Sequence, residues 1–255
     1  MILLPHNLYG DEAIPYTTDG VPADECYDST GKKQTIPYIL SDGFNTFDSN
    51  IWSCLSGDYR GIVYLPASYQ GNAFTELGHL VVKAIKNNPS SGFEWSSAFV
   101  NSDGKFEFQY GTVLARIRFP KGATNYHATL WMLGDSPGEI DIAEADNGTV
   151  HAAVHYYDQS GANWHSKLVA SFSNIDPKEF NEYRLDWQEN RIVFSVNGVT
   201  AGSFDVNEAT MSGFNSFRQK MYLIVNLLPY STSSKKYDDG SAVKMEVDYI
   251  KVIKL

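Results

Sequence analysis

The sequence predicts an all-β chain folded as an antiparallel two-sheet sandwich, and three observations carry that expectation. From position 38 onward, short strand-like runs alternate with turn residues. Aromatic side chains are abundant, with 16 Tyr, 14 Phe and 5 Trp among 255 residues, and such residues favour strands. Helix signals are few. Many short strands, regular turns and little helix are the pattern of two packed antiparallel sheets.

Residues 1–37 read as an irregular N-terminal extension, broken by Pro5, Pro15, Pro22 and Pro37. Residues 38–255 read as one sandwich domain, a size that all-β folds often reach as a single unit. Strand-like runs occupy residues 80–85, 112–119 and 191–196. The last ends in Asn197-Gly198, a hairpin signal because both residues tolerate positive φ. Asp176 and Pro177 suit the cap and first position of one helical turn. Residues 206–211 are read as another short turn. No internal repeat or low-complexity tract interrupts the chain.

Hydrophobic residues make up 43% and charged residues 20%, enough for a large core. The formal charge is −10 and no basic patch stands out. Nucleic acid and anionic membrane surfaces are therefore poor partners. No apolar run reaches the roughly 18 residues of a membrane span. Residues 1–6 are too short and lack the charged flank of a signal peptide. An extracellular protein is nonetheless expected, its leader absent from this chain or its domain carried on a larger surface or particle protein. Cys26 and Cys54 could pair, which sequence alone leaves open.

The most informative segment is Gly138-Glu139-Ile140-Asp141-Ile142-Ala143-Glu144. In a strand, Glu139 and Asp141 share one face while Ile140 and Ile142 share the other. Regular alternation would place Ala143 beside the acids. A β-bulge at Ile142-Ala143 absorbs one residue and returns Glu144 to their face. Such a row is costly, because like charges repel and one acid is driven to stay protonated. Retaining glycoside hydrolysis needs that condition: an ionised nucleophile and a protonated acid roughly 5–5.5 Å apart. A solvated acidic strand or a calcium site are the structural alternatives, and the buried isoleucines and the preceding Trp131-Met132-Leu133-Gly134 weigh against them.

The run Glu-Ile-Asp-Ile-Ala-Glu resembles the signature of glycoside hydrolase family 16, in its bulged form, as in laminarinases, agarases and carrageenases. The flanks at 44–52, 97–116, 183–187, 196–198 and 245–252 resemble the family's strand blocks in the right order. The resemblance covers about residues 38–255 and implies a concanavalin A-like jelly roll with a cleft across its concave sheet. It implies endo-hydrolysis with retention, with Glu139 as nucleophile, Asp141 as assisting carboxylate and Glu144 as acid/base. Two departures stand out. Many members that cut β-1,3-glucans carry a Trp-Pro pair where this chain has the run Asn125-Tyr126-His127-Ala128-Thr129-Leu130. They also carry a Gly-Gly and Trp loop where Asn226-Leu227-Leu228 is followed here by Pro229-Tyr230-Ser231.

Around the cluster, Trp131 matches the family's cleft-floor Trp, and Trp95 and Trp164 are candidates for outer sugar subsites. His151, Ala153 and His155 alternate, so both histidines fall on one face of the next strand, beside the acids if the strands are neighbours. Arg116 resembles a sugar-contacting Arg of the family, with Arg118 competing in the same strand. Asp248 resembles an aspartate that holds a structural calcium away from the cleft. No cofactor is expected in catalysis, the partner is the polysaccharide, and the enzyme is expected to be monomeric. The leading substrate is a β-1,3- or mixed β-1,3/1,4-glucan. The alternatives are an agar- or carrageenan-like galactan, transglycosylation, and sugar binding without turnover.

Overall fold

The computed structural model describes residues 25–27, 33–35, 38–59, 62–64, 71–86, 95–120, 126–146, 148–158, 160–207, 216–229 and 243–254. In chain order its strands are β1 (Glu25–Tyr27), β2 (Lys33–Thr35), β3 (Tyr38–Asp42), β4 (Ser53–Cys54), β5 (Gly57–Tyr59), β6 (Ile62–Tyr64) and β7 (Ala73–Glu76). Next come β8 (His79–Lys86), β9 (Trp95–Ser97), β10 (Phe99–Asn101), β11 (Glu107–Phe108), β12 (Gly111–Arg118), β13 (Tyr126–Gly134) and β14 (Glu139–Asp146). The last are β15 (Thr149–Tyr157), β16 (Trp164–Ser171), β17 (Asn181–Trp187), β18 (Arg191–Val196), β19 (Val199–Asp205), β20 (Met221–Pro229) and β21 (Val243–Ile253).

An eight-stranded sheet runs β16-β15-β14-β13-β20-β10-β4, with β11 also on β20. An eleven-stranded sheet runs β19-β18-β17-β12-β21-β8-β9-β6-β5, with β3 and β7 attached. Both are antiparallel apart from the β6–β9 pair. Their facing sides form one core. Leu130 and Met132 of β13, Ile140 of β14 and Val154 of β15 meet Val113 and Ile117 of β12 and Leu185 and Trp187 of β17, all fully buried. This is the expected two-sheet sandwich, and no helix occurs among the described residues.

Local chemistry explains the corners. Asn197 and Gly198 have φ of 47° and 79°. That left-handed pair joins β18 to β19 as the expected two-residue hairpin. Asp176 caps as expected, accepting the Lys178 amide at 2.9 Å. The cap opens a single turn, closed by Glu179 N–H to Asp176 C=O, rather than a helix. Residues 208–211 of the second expected turn and the side chain of Cys26 lie outside the described residues.

The turn that feeds β14 is stapled from below. The Gln219 amide accepts the Ser136 N–H at 2.7 Å and donates to the Ser136 and Ser216 carbonyls at 2.8 and 3.0 Å. Gly138 lies so close to this staple that a Cβ there would sit 2.2 Å from the Ser216 carbonyl oxygen. Gly138→Ala should therefore displace the start of β14. The expected cost is about 1–3 kcal/mol, read as a lower melting temperature, together with lost activity because Glu139 is the next residue. A variant with unchanged melting temperature and turnover would show that the staple yields freely.

Candidate active site

The outer face of the eight-stranded sheet carries the acids. On β14, Ile140, Ile142 and Ala143 are fully buried in the core while Glu139 and Glu144 are partly exposed. Asp141 lies between them and is only 3% exposed. The register shows the bulge. Asp141 pairs with Ala153 and Glu144 with His151, so Ile142 and Ala143 together oppose Ala152. On the other side Trp131 pairs with Asp141, and Leu130 with Ala143. The extra residue restores Glu144 to the face of Glu139 and Asp141, as the sequence pattern requires.

Three histidines bind these acids. His155 Nε2 lies 2.9 Å from Asp141 Oδ2, and its Nδ1 lies 2.8 Å from Ser166 Oγ. His151 Nε2 lies 2.8 Å from Glu144 Oε2. His127 Nε2 lies 2.8 Å from Glu144 Oε1. Both oxygens of Glu144 are thus engaged by imidazoles from opposite neighbouring strands. His127 is not among the site residues expected from sequence. A signal for it exists, because His127, Thr129 and Trp131 alternate along one strand face.

The environment pushes the carboxyls apart. Burial, then the charge of Asp141, raises Glu139 from its ordinary 4.5 to about 8. Burial also raises Asp141, against the hydrogen bond from His155. Burial acts on Glu144 in the same direction, but the hydrogen bonds from His127 and His151 overcome it and hold its carboxyl at about 2. His151 is raised by its bond to Glu144, and His155 by its bond to Asp141. Glu139, Asp141 and His155 bring ligand-type atoms within 4.8 Å of one another.

Trp131 lies on the site face, its indole N–H donating to Asn226 Oδ1 at 2.7 Å. Thr129 donates to the same oxygen at 2.6 Å. Phe99 meets the Trp131 ring edge-on at 6.0 Å. Together these contacts fix the indole plane beside Asp141. Trp164 is 45% exposed and stacks on His155 at 6.1 Å and 17°. It extends the aromatic surface toward the β16 edge.

Three expected contacts are corrected. Trp95 is 3% exposed within the core of the sandwich and offers no ring to a sugar. Arg116 belongs to β12 of the other sheet, where it pairs with Asp248 and lies 4.9 Å from the Phe180 ring centroid. Arg118 sits on the same ring and pairs with Glu246 at 2.7 Å. Asp248, the expected calcium ligand, is neutralised by Arg116, with His79 Nε2 at 3.7 Å. A cation at Asp248 would have to displace that guanidinium.

The raised Glu139 carboxyl links the site to stability. Between its unfolded value near 4.5 and its folded value near 8, the folded protein holds a proton that the unfolded chain has lost. Its contribution to stability is therefore fully present below 4.5 and is lost as pH rises through 8. Glu139→Gln fixes the side chain in a neutral form. Its melting temperature should decline less than wild type from about pH 5 to about pH 9 and should exceed wild type at the upper end. Parallel curves for the two proteins would mean that Glu139 ionises as an ordinary carboxyl.

Comparison with known proteins agrees with this geometry. A chain from Tachypleus tridentatus, the clotting factor G alpha subunit, is 27% identical over 231 residues, covering 84% of this chain and 33% of that one. Keratan-sulfate endo-1,4-beta-galactosidase of Sphingobacterium multivorum is 28% identical over 244 residues, covering 85% of this chain and 55% of that one. The chain thus spans about a third and about half of these relatives. Among solved structures, the family GH16 non-specific endo-beta-1,3(4)-glucanase SCLam superposes with a TM-score of 0.72 at 26% identity, over 86% of this chain and 92% of that one. The sequence profile of Glycosyl hydrolases family 16 matches residues 67–251. With that match over most of its length, and an acidic row on the face the family's signature implies, the chain belongs to glycoside hydrolase family 16.

Proposed function

We propose that this protein is a retaining endo-hydrolase of a neutral β-linked glucan, with β-1,3 or mixed β-1,3/1,4 linkages. It would act outside the cell as a monomer and need no cofactor for catalysis. The observation that carries the reading is the bulge, which sets Glu139, Asp141 and Glu144 on one face of one strand. The relation to an endo-beta-1,3(4)-glucanase supports the substrate class. So does the lining, because among the described residues the groups touching the acids are imidazoles, and Arg116 and Arg118 serve the other sheet. The galactosidase relative keeps a β-galactan as the second reading.

In a double displacement Glu139 attacks the anomeric carbon while Glu144 protonates the departing oxygen. Water then attacks the glycosyl ester, Glu144 takes its proton, and the Glu139 ester bond breaks. The free protein rests in the opposite states, with Glu139 protonated and Glu144 ionised at neutral pH. For Glu139 the remedy is local. Its proton can pass to the neighbouring Asp141 carboxyl, leaving an ionised nucleophile beside a neutral acid. Asp141 is thereby the proton partner of the nucleophile, and His155 holds it in place.

Two experiments test the reading. Laminarin or barley glucan should release reducing ends faster than agarose or carrageenan, and degradation of a galactan alone would hand the case to the second reading. The roles of the glutamates separate with azide and an aryl glycoside carrying an activated leaving group. Glu144→Ala should still form the glycosyl ester, stall, and be rescued by azide to the β-glycosyl azide. Glu139→Ala should give the α-azide, because azide then attacks in place of the nucleophile. The reverse pairing of anomers would swap the two roles, and unimpaired variants would make the acidic row structural.

A further inference from the structure

The order of side chains on the acidic face of β14 is Glu139, Asp141, Glu144, and the ladders carry that order outward to the sheet edge. The three acids stand opposite His155, Ala153 and His151 of β15, which stand opposite Ser166, Leu168 and Ser171 of β16. The register shift at Ala152/Ala153 gives β16 an extra residue, Val169, and so returns Ser171 to the face of Leu168. His151, Leu168 and Ser171 open into a pocket of about 570 Å³ that also takes in Thr149, Ser173 and Asn174. Its size is that of a small-ligand site. His151 is shared: its Nε2 lies 2.8 Å from Glu144 Oε2, and the same residue lines the pocket. Thr149, the next residue of β15 on this face, stands opposite Asp146 and continues the pocket past Glu144. The pocket thus begins one side chain away from Glu144, on the side away from Glu139.

The lining sets what fits. None of the described residues that line the pocket is Lys, Arg, Asp or Glu. Thr149, Ser171 and Ser173 supply hydroxyls and Asn174 an amide, side chains that both donate and accept. Leu168 and Ile175 supply apolar surface. Hydroxyls interleaved with aliphatic groups match the O–H and C–H groups of a neutral sugar, whereas a sulfated one would enter with no Lys or Arg to meet its charge. We propose that this pocket is a subsite for a neutral hexose on the leaving-group side of the scissile bond. This rests on the assignment of Glu139 as nucleophile and Glu144 as acid/base. Glu139 attacks the anomeric carbon from one side, so the bond to the departing oxygen breaks on the other, where Glu144 gives that oxygen its proton. The departing sugar therefore lies past Glu144 as seen from Glu139, and the pocket lies there too. Its contribution is to hold the leaving portion of the chain while that bond breaks, and to favour an uncharged unit there over a sulfated one.

The test is the cleavage pattern of laminarihexaose labelled at its reducing end. The labelled fragment is the leaving group, so its length reports how much sugar is held past Glu144. Ser171→Trp fills the pocket from the ladder position opposite His151. It should shift cleavage toward shorter labelled fragments, changing the ratio of short to long by about tenfold or more. Ser171→Thr, which keeps the hydroxyl, should keep the wild-type pattern. An unchanged pattern in a folded Ser171→Trp protein overturns the proposal. A second measurement does not depend on that variant. In methyl-labelled Glu139→Gln protein, saturating laminarihexaose should move the resonances of Leu168 and Ile175. A shift at Leu133, opposite Glu139 in the β13–β14 ladder, with Leu168 and Ile175 unmoved overturns the proposal as well. Failure of laminarihexaose to bind or to be cut would instead sink the glucan reading, and the same pattern measured on agarohexaose, a neutral galactan fragment, would then decide for or against the pocket. Wild-type protein that cuts neither hexasaccharide would sink the enzyme reading and the pocket with it.

Discussion

The site depends on one extra residue in β14. A strand turns its side chains with period two, and Glu139 and Glu144 are an odd number of residues apart. A regular strand would drive one of them into the core, where an unpaired carboxylate is not tolerated. The bulge resolves the conflict by giving the core two consecutive residues, Ile142 and Ala143, both fully buried. The second is alanine, which leaves room for the neighbours on β13. The disturbance does not stop at β14. The ladder between β15 and β16 also shifts register at Ala152/Ala153, at the same level of the sheet. Bulged strands bend and twist more strongly, so adjoining shifts at one level give the outer face local curvature where the acids stand.

That curvature gathers acids that repel one another, and imidazoles make the gathering tolerable. The chain as a whole carries −10, yet each pole of the site has its own donors. His155 serves Asp141, and His127 and His151 serve Glu144. Among the described residues no imidazole is paired with Glu139, and burial together with the Asp141 charge raises its carboxyl. The result is two carboxyls of one strand driven in opposite directions by their surroundings. Groups so separated are what acid–base chemistry at a single anomeric carbon draws on.

Much of this was legible in the sequence, for a physical reason. Side-chain alternation is local, so the faces of Glu139, Asp141, His151 and His155, and the bulge itself, follow from the order of residues. Which sheet a strand joins is not local. Arg116 lies on a strand whose alternation is as clear as that of β14, but β12 pairs with β17 and β21 in the opposite sheet, away from the acidic row. Asp248 follows it there. Trp95 reads as a loop residue because the strand around it is only Trp95–Ser97, too short to show a period. His127 shares a face with Trp131, and only the pairing of β13 with β14 shows what that face touches.

The choice of donor matters as much as its position. An arginine at either imidazole position would hold Glu144 ionised through every step, since guanidinium never gives up its charge at working pH. Such a carboxylate could accept a proton but would not keep one. An apolar residue would leave the carboxyl to burial alone, which raises its proton affinity and favours the acid at the expense of the base. Imidazole donates an N–H whether charged or neutral, and an unperturbed imidazole changes charge near neutral pH. Two such donors, one directly opposite Glu144 in the ladder and one diagonal to it, each lie 2.8 Å from one of its oxygens.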